Sequence, residues 1–209
     1  MLIKGKMAIT SLLIIIGFLR RNLRNCPTSC KRDAYISLVR SILEYGSIIW
    51  DPYLKSDIDR LERVQHQGAR FITRDYRSTE TGCVTKMLQD HALPLLRTRR
   101  EHQRLAFMYR VVEGLVPALP VQEYLTPKRR GRPIKAKKYT DCVTENVVVN
   151  LATNNSKCFQ VPTCNTVQCR NSFFYRTVIN WNNLDDDVVC LDTAEAFKSS
   201  LSMLSRQSS

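Results

Sequence analysis

Ser56-Asp57-Ile58-Asp59-Arg60-Leu61-Glu62-Arg63-Val64-Gln65-His66-Gln67-Gly68-Ala69-Arg70-Phe71-Ile72-Thr73 is the stretch on which the fold class turns. Ile58, Leu61, Val64, Ala69 and Ile72 recur at helical spacing, which makes one face apolar and leaves the other charged. Ser56 has the side chain of an N-cap, and Asp57 and Asp59 stand where a helix N-terminus favours negative charge. Asp59 and Arg63 are spaced for an i,i+4 ion pair. Upstream, Tyr35, Leu38, Val39, Ile42, Leu43 and Tyr45 form a broad apolar stripe that predicts a helix over 33–50. Asp51-Pro52 ends it, because the residue before a proline is pushed out of the helical region. Downstream, Leu105, Met108, Val111 and Val112 predict a third helix over 95–113, with Gly114 as its stop.

Beyond that helix the pattern changes. Pro117, Pro120, Pro127 and Pro133 break regular structure and mark a linker or exposed loop. The β-branched run Val147-Val148-Val149 within 142–151 predicts a strand, Asn154-Asn155-Ser156 a turn, and 158–161 a second short strand. Residues 173–181 read as a helix or a strand-to-helix junction. Ala194, Phe197, Leu201 and Leu204 share one face of a closing helix over 193–204. The fold class expected is mainly α: a helical N-terminal two-thirds with a small mixed α/β C-terminal portion. No repeat of fixed period occurs.

At the other end, Met7 to Leu19 follows Lys4 and Lys6 in the manner of a secretory h-region after its n-region. Its thirteen residues are too short for a span, and Arg20-Arg21-Asn22-Leu23-Arg24 follows where a cleavage site would need small residues. Ile9, Leu12, Leu13, Ile16 and Leu19 also fit a helix burying one face, the preferred reading over a signal or anchor. The eight cysteines lack the paired spacing of a structural zinc site, and no histidine follows His102. Free intracellular thiols are expected, ahead of a metal site or disulfides. No metal or cofactor is implied.

Charge is distributed unevenly. The 209 residues carry a net +13, of which residues 1–127 contribute +8, residues 128–138 contribute +7 and residues 139–209 contribute −2. A chain so basic points first to a polyanion, and its concentration in one short segment points to a local anchor rather than a uniformly basic coat. Lys128, Arg129, Arg130, Arg132, Lys135, Lys137 and Lys138 supply that segment. Neutralising phosphates with them would release counterions. Arg130-Gly131-Arg132-Pro133 looks like an AT-hook, whose arginines enter a narrow A·T minor groove. A solvated basic loop that touches nucleic acid is the plainer reading, and a nuclear-import signal is a third. Seven glycines and eight prolines exclude a collagen-like chain, and no apolar run is long enough to span a membrane.

Catalytic constellations are sparse. Asp185-Asp186-Asp187 could suggest the paired carboxylates that hold two cations in nucleotidyl transfer. The aromatic position of an aromatic-x-Asp-Asp hairpin would then be Asn183, and no third carboxylate precedes it in a strand motif. A helix N-terminus or acidic turn is the better reading. No G-x-S-x-G, H-E-x-x-H or G-x-x-x-x-G-K-[ST] occurs. His66, His91 and His102 lie on or near predicted helices, and Trp50 and Trp181 read as core anchors ahead of base-stacking platforms.

Long blocks of the chain carry a resemblance. Leu38-Val39-Arg40-Ser41-Ile42-Leu43-Glu44-Tyr45-Gly46-Ser47-Ile48-Ile49-Trp50-Asp51-Pro52-Tyr53 resembles the segment following the polymerase core in LINE-type, non-LTR retrotransposon polyproteins of the jockey-like group. Residues 58–73 are similar to the next block, residues 171–184 to a stretch near the end of those proteins, and residues 17–24 to the sequence just upstream. The likeness spans about 17–204, with the blocks in order. Ser41 and Asp185 each stand where the family commonly has proline, and the AT-hook-like core is not a usual family feature.

The resemblance implies a C-terminal region of a reverse transcriptase polyprotein whose endonuclease and polymerase catalytic parts lie upstream of this chain. Its expected organisation is a non-family segment 1–16, a helical thumb or post-polymerase region 17–127, a basic linker 128–138 and a small α/β region 139–209. Residues 1–16 are read as a chance start or a decayed junction. The family's catalytic carboxylates map onto no position here, so no catalytic residue is assigned. The function expected is non-catalytic binding of DNA or RNA backbone through Arg20, Arg21 and Arg24 and the seven cations of 128–138, in the nucleus or cytoplasm. No membrane or small-molecule substrate is expected, and oligomeric state is not legible in the sequence. The alternatives are a structural or interaction module, or a pseudogene product. An active polymerase would need carboxylates this chain lacks.

Overall fold

A computed structural model describes residues 2–128 and 155–207. The chain divides into two compact units, Met1–Gln103 and Arg104–Ser209. The predicted strand at Val147–Val149 lies outside the described residues, as do Cys142, Arg129, Arg130, Arg132, Lys135, Lys137 and Lys138.

In the first unit the helices are α1 (Leu2–Asn22), α2 (Thr28–Tyr35), a π-helical turn (Ile36–Arg40), α3 (Ser41–Glu44), α4 (Ser47–Trp50), α5 (Lys55–Thr73) and α6 (Cys83–Asp90). The long helix α7 (Leu96–Val112) begins here and contains the boundary between the units. Helix α5 is central and packs against α1, α2 and α6. It buries Leu61, Val64, Gln65, Gly68, Ala69, Phe71 and Ile72, a wider stripe than the sequence pattern indicated. Each large apolar side chain so buried stabilises the unit by about 1.5–3 kcal/mol. Helix α5 starts one residue before Ser56, after Leu54 and without a side-chain cap. Its first-turn ion pair is Arg60 with Asp57 at 3.3 Å rather than Asp59 with Arg63.

The predicted helix 33–50 is in fact four short elements. It begins earlier, at Thr28, widens into the π turn in which the Ser41 amide donates to the Ile36 carbonyl, and breaks at Gly46, whose φ of 62° is left-handed. Tyr35, Val39 and Leu43 keep the inward face, whereas Leu38, Ile42 and Tyr45 are exposed. Gly68 is required where it stands. A Cβ there would lie 2.2 Å from the ring of Tyr35, so the aromatic ring rests directly on the α5 backbone. Helix α1 packs through Leu12, Ile16 and Leu19, the face expected for a buried helix, although Leu13 points outward.

The second unit contains the rest of α7, then α8 (Val121–Tyr124), α9 (Val167–Arg170), α10 (Phe173–Asn182), α11 (Asp186–Val189) and α12 (Ala194–Gln207). Trp181, Tyr109 and Phe197 centre its core, with the Tyr109 and Phe197 rings stacked at 4.8 Å. The Tyr109 hydroxyl donates to the Leu191 carbonyl at 2.6 Å. Helix α7 ends as the sequence suggested. Gly114 has φ 67°, the Leu115 amide reaches back to the Arg110 carbonyl and the Gly114 amide to Val111, a Schellman closure. Phe197 and Leu201 of α12 are buried, but Leu204 is over a third exposed. Asp185 flanks α11 and Asp186 and Asp187 open it, so the acidic triplet is a helix N-terminus.

The expected mixed α/β character of the C-terminal portion is overturned. Among the described residues there is no strand or sheet, only an isolated antiparallel bridge between Pro127 and Phe159. Residues 158–161, expected as a strand, form none: only Phe159 is bridged, and the backbone is satisfied by other means. The Lys128 amide donates to the Cys158 carbonyl, and the Gln160 amide to that of Thr126, both within 2.9 Å. The Asn182 side chain then accepts from the Phe159 amide at 3.0 Å and donates to the Phe159 carbonyl at 2.8 Å. One carboxamide thus takes the place of a neighbouring strand. The expectation of free thiols is corrected at one place, where Cys164 and Cys169 form a disulfide. Cys26, Cys30, Cys83, Cys158 and Cys190 are free.

Candidate nucleic-acid interface

A cleft of about 750 Å³ opens on the first unit, and five of its lining residues are cations: Arg20, Arg21, Arg24, Lys31 and Arg74. Tyr76 stands with them, and Gly17 and Phe71 complete the lining. No carboxylate lines it.

Three elements converge to build it. Arg20 and Arg21 lie in the last turn of α1, where cations also complement the helix dipole, and Arg24 follows in the turn beyond. Lys31 comes from α2. Arg74 ends α5 in the left-handed conformation, with φ 61°. Glycine or asparagine is the usual occupant of such a position.

The loop after Arg74 is tied down by α5. Arg70 donates to the carbonyls of Asp75 and Ser78, at 3.1 and 2.9 Å, and Thr73 Oγ1 accepts from the Asp75 amide. The Asp75 carboxylate accepts from the Arg77 and Ser78 amides, each at 3.0 Å, and from the Ser78 hydroxyl. It is therefore committed to its own turn and is not a partner for the cleft cations. The turn presents Tyr76, over whose ring the Arg20 guanidinium sits at 3.9 Å, a cation–π contact that orients the arginine.

Hydrogen bonds from Ser78 hold the Asp75 carboxyl below its ordinary value of 3.8. A depressed folded-state value means this stabilisation is complete above the unfolded value and disappears as pH falls through the folded one. Thermal melts between pH 5 and 2 are thus expected to show a shallower acid limb for Asp75→Ala than for the wild type, with the two curves converging at the acid end.

Cation pairing elsewhere in the unit makes a contrast. Arg99 binds Glu44 through two nitrogens, one at 2.7 Å, and Arg40 reaches the same carboxylate at 3.4 Å. Arg100 pairs with Asp51 at 2.9 Å, both nearly fully buried. Arg32 donates to the His91 carbonyl and pairs with Asp33. The five cleft cations have no such carboxylate among the described residues. Lys31 buries most of its side chain, at 3% exposure for the residue, and its ammonium lines the cleft with no acceptor among those residues.

Of the residues assigned from sequence, Arg20, Arg21 and Arg24 are thus brought together. Lys128 is exposed, belongs to the second unit and uses its backbone amide to anchor residues 158–160. The other six basic residues of 128–138 are outside the described residues. Lys31, Arg74 and Tyr76 were missed. Arg74 left a signal, an arginine where a helix C-terminus invites glycine, whereas Lys31 left none among 32 Lys and Arg. Burial lowers the His102 pKa, and none of the three histidines lines the cleft.

Among the described residues no three His, Cys, Asp or Glu side chains are grouped to hold a metal ion. Among them, too, no helix is long and apolar enough to cross a membrane. No protein-family model, curated protein or solved structure matches the chain.

Proposed function

We propose that the chain is a non-catalytic C-terminal fragment of a LINE-type retrotransposon reverse transcriptase that binds the DNA or RNA backbone, in the nucleus or cytoplasm. The observation that carries the binding reading is the convergence of five cations without an acid in one cleft. Unpaired cations held together repel one another, and a phosphodiester strand relieves that repulsion while releasing its counterions. The fragment reading rests on the ordered sequence blocks between residues 17 and 204.

The expected behaviour is affinity for nucleic acid that falls steeply with salt and depends weakly on sequence. Arg20→Ala, Arg21→Ala and Arg24→Ala combined should reduce the slope of log affinity against log salt by roughly 2–3, near one for each phosphate left without its arginine. Neutralising the basic residues of 128–138 should reduce it further. Fluorescence anisotropy at 50–200 mM salt measures both, and affinity that does not change with salt would end this reading. Nucleotide incorporation by the isolated chain in a primer-extension assay would end the non-catalytic part.

A second reading has its own observation. Leu38, Ile42, Tyr45 and Ile49 are exposed apolar side chains within a short span of the first unit, and Tyr45 and Ile49 are more than four-fifths exposed. Such a patch suits a structural or interaction module. Unchanged nucleic-acid binding after neutralising both basic clusters would favour it.

A further inference from the structure

We propose that the cleft is a phosphate seat built around Lys31, which takes one phosphate group of an unpaired strand. This names the site within the strand-binding reading, and rests on that reading only for the polymeric ligand.

Two residues in the cleft are poor choices for a protein that merely folds. Lys31 buries its aliphatic stem, with 3% of the residue exposed, and brings its ammonium to the cleft beside four guanidiniums with no carboxylate or acceptor among the described residues. A fifth like charge in that cluster is unfavourable, and a side chain of similar length without charge would fill the same stem site and avoid it. Arg74 occupies a left-handed backbone position that glycine would adopt without strain. Both residues direct cations to the same cavity. An anion bound between them supplies what the free protein lacks. Backbone strain and crowded like charge held together by surrounding structure belong to binding sites more than to scaffolds.

The geometry also indicates the kind of anion. Four guanidiniums surround the seat, and guanidinium forks match the oxygens of phosphate two at a time. Arg20 is already oriented by stacking on Tyr76 at 3.9 Å, so less of its freedom is lost on binding. The volume of about 750 Å³ lies within the range of roughly 300–1,000 Å³ typical of small-molecule pockets, well beyond a single small ion. Lys31 is recessed. A stiff duplex presents its phosphates on a convex cylinder, whereas an unpaired strand can fold a phosphate inward.

The test uses the full chain, Lys31→Met, Arg74→Gly and a variant with the basic residues of 128–138 neutralised. Binding of a labelled twelve-nucleotide single strand and of the matching duplex is measured by anisotropy at fixed salt, and thermal melts are recorded with and without inorganic phosphate. Lys31→Met is expected to weaken single-strand binding by about 10–100-fold, the loss of a charge-assisted hydrogen bond. Duplex binding should weaken less than threefold, and the melting temperature without ligand should be unchanged or higher. Arg74→Gly should raise that temperature by about 2–4 °C while weakening the single strand severalfold. Inorganic phosphate should raise the wild-type melting temperature and leave that of Lys31→Met where it was.

Single-strand binding by Lys31→Met within twofold of wild type, or a lowered melting temperature for that variant, overturns the seat while leaving strand binding to 128–138. A wild type that binds no strand, yet is stabilised by phosphate through Lys31, overturns the strand reading and retains the seat. Equal Lys31 dependence for duplex and single strand overturns the preference for an unpaired ligand.

Discussion

Gly68→Ala is expected to lower the stability of the first unit by about 3 kcal/mol or more, at the upper end of what one added methyl group does in a packed interior. The new Cβ would lie 2.2 Å from Tyr35 Cε2 and 2.7 Å from both Cδ2 and Cζ. Tyr35 is fully buried, so its ring cannot swing into solvent to make room. Either α2 must move away from α5, or the ring must be expelled together with its buried surface. The better helix propensity of alanine, worth about 1 kcal/mol, offsets only part of this loss.

Melts of fluorotryptophan-labelled protein resolve the two units, because Trp50 belongs to the first and Trp181 to the second. The Trp50 resonance should report a midpoint lowered by roughly 10 °C or more for a unit of this size. The Trp181 transition should be unchanged if the units unfold independently. Tyr35→Leu should rescue Gly68→Ala in part, with a coupling energy of roughly 1–3 kcal/mol in a double-mutant cycle. Additive effects would show that the ring and the glycine do not oppose each other.

The second large effect lies in the other unit. Asn182→Leu keeps the branched shape of the side chain but removes both hydrogen bonds to Phe159, leaving a buried amide and a buried carbonyl without partners. Each unsatisfied group costs about 1–3 kcal/mol, so a loss of about 2–6 kcal/mol is expected. Asn155 acts in concert, donating to the Trp181 and Leu184 carbonyls at 2.9 Å, and the Trp181 indole donates to the Lys157 carbonyl at 2.9 Å. Together these bonds clamp 155–160 against the C-terminal end of α10. Hydrogen exchange should therefore show the Phe159 amide losing protection in Asn182→Leu, with the α10 amides following. If the Phe159 amide stays protected, the carboxamide is not what holds the segment.

The same carboxamide explains why the strand expectation failed. Local pattern detects that Cys158, Phe159 and Val161 favour extended backbone, but only Phe159 makes a bridge, to Pro127. Whether an extended segment becomes a strand depends on what supplies its hydrogen-bond partners. Here they come from residues 126–128 and from one side chain 23 positions away. Nothing in the composition of 158–161 encodes that. The break in the predicted helix 33–50 was closer to hand, since Gly46 lies inside the stretch. Tyr35, Leu38, Val39, Ile42, Leu43 and Tyr45 read as one broad stripe, but the narrower set Tyr35, Val39 and Leu43 is what packs inward. The disulfide between Cys164 and Cys169 likewise depends on a turn bringing their Cα atoms to 5.5 Å.

Periodicity alone determined where the apolar faces of α5, α7 and α12 would lie, because a helix satisfies its backbone internally and side-chain spacing then dictates which face is buried. It also determined the Gly114 stop and the basic cluster at the end of α1. Only the folded arrangement decided that Arg20, Arg21 and Arg24 share a cleft with Lys31, Arg74 and Tyr76. These residues are up to 56 positions apart, and their charges become one field only when α1, α2 and the end of α5 meet. Burial of Lys31 and the left-handed backbone of Arg74 belong to that meeting too, since exposure and dihedral angle are properties of packing.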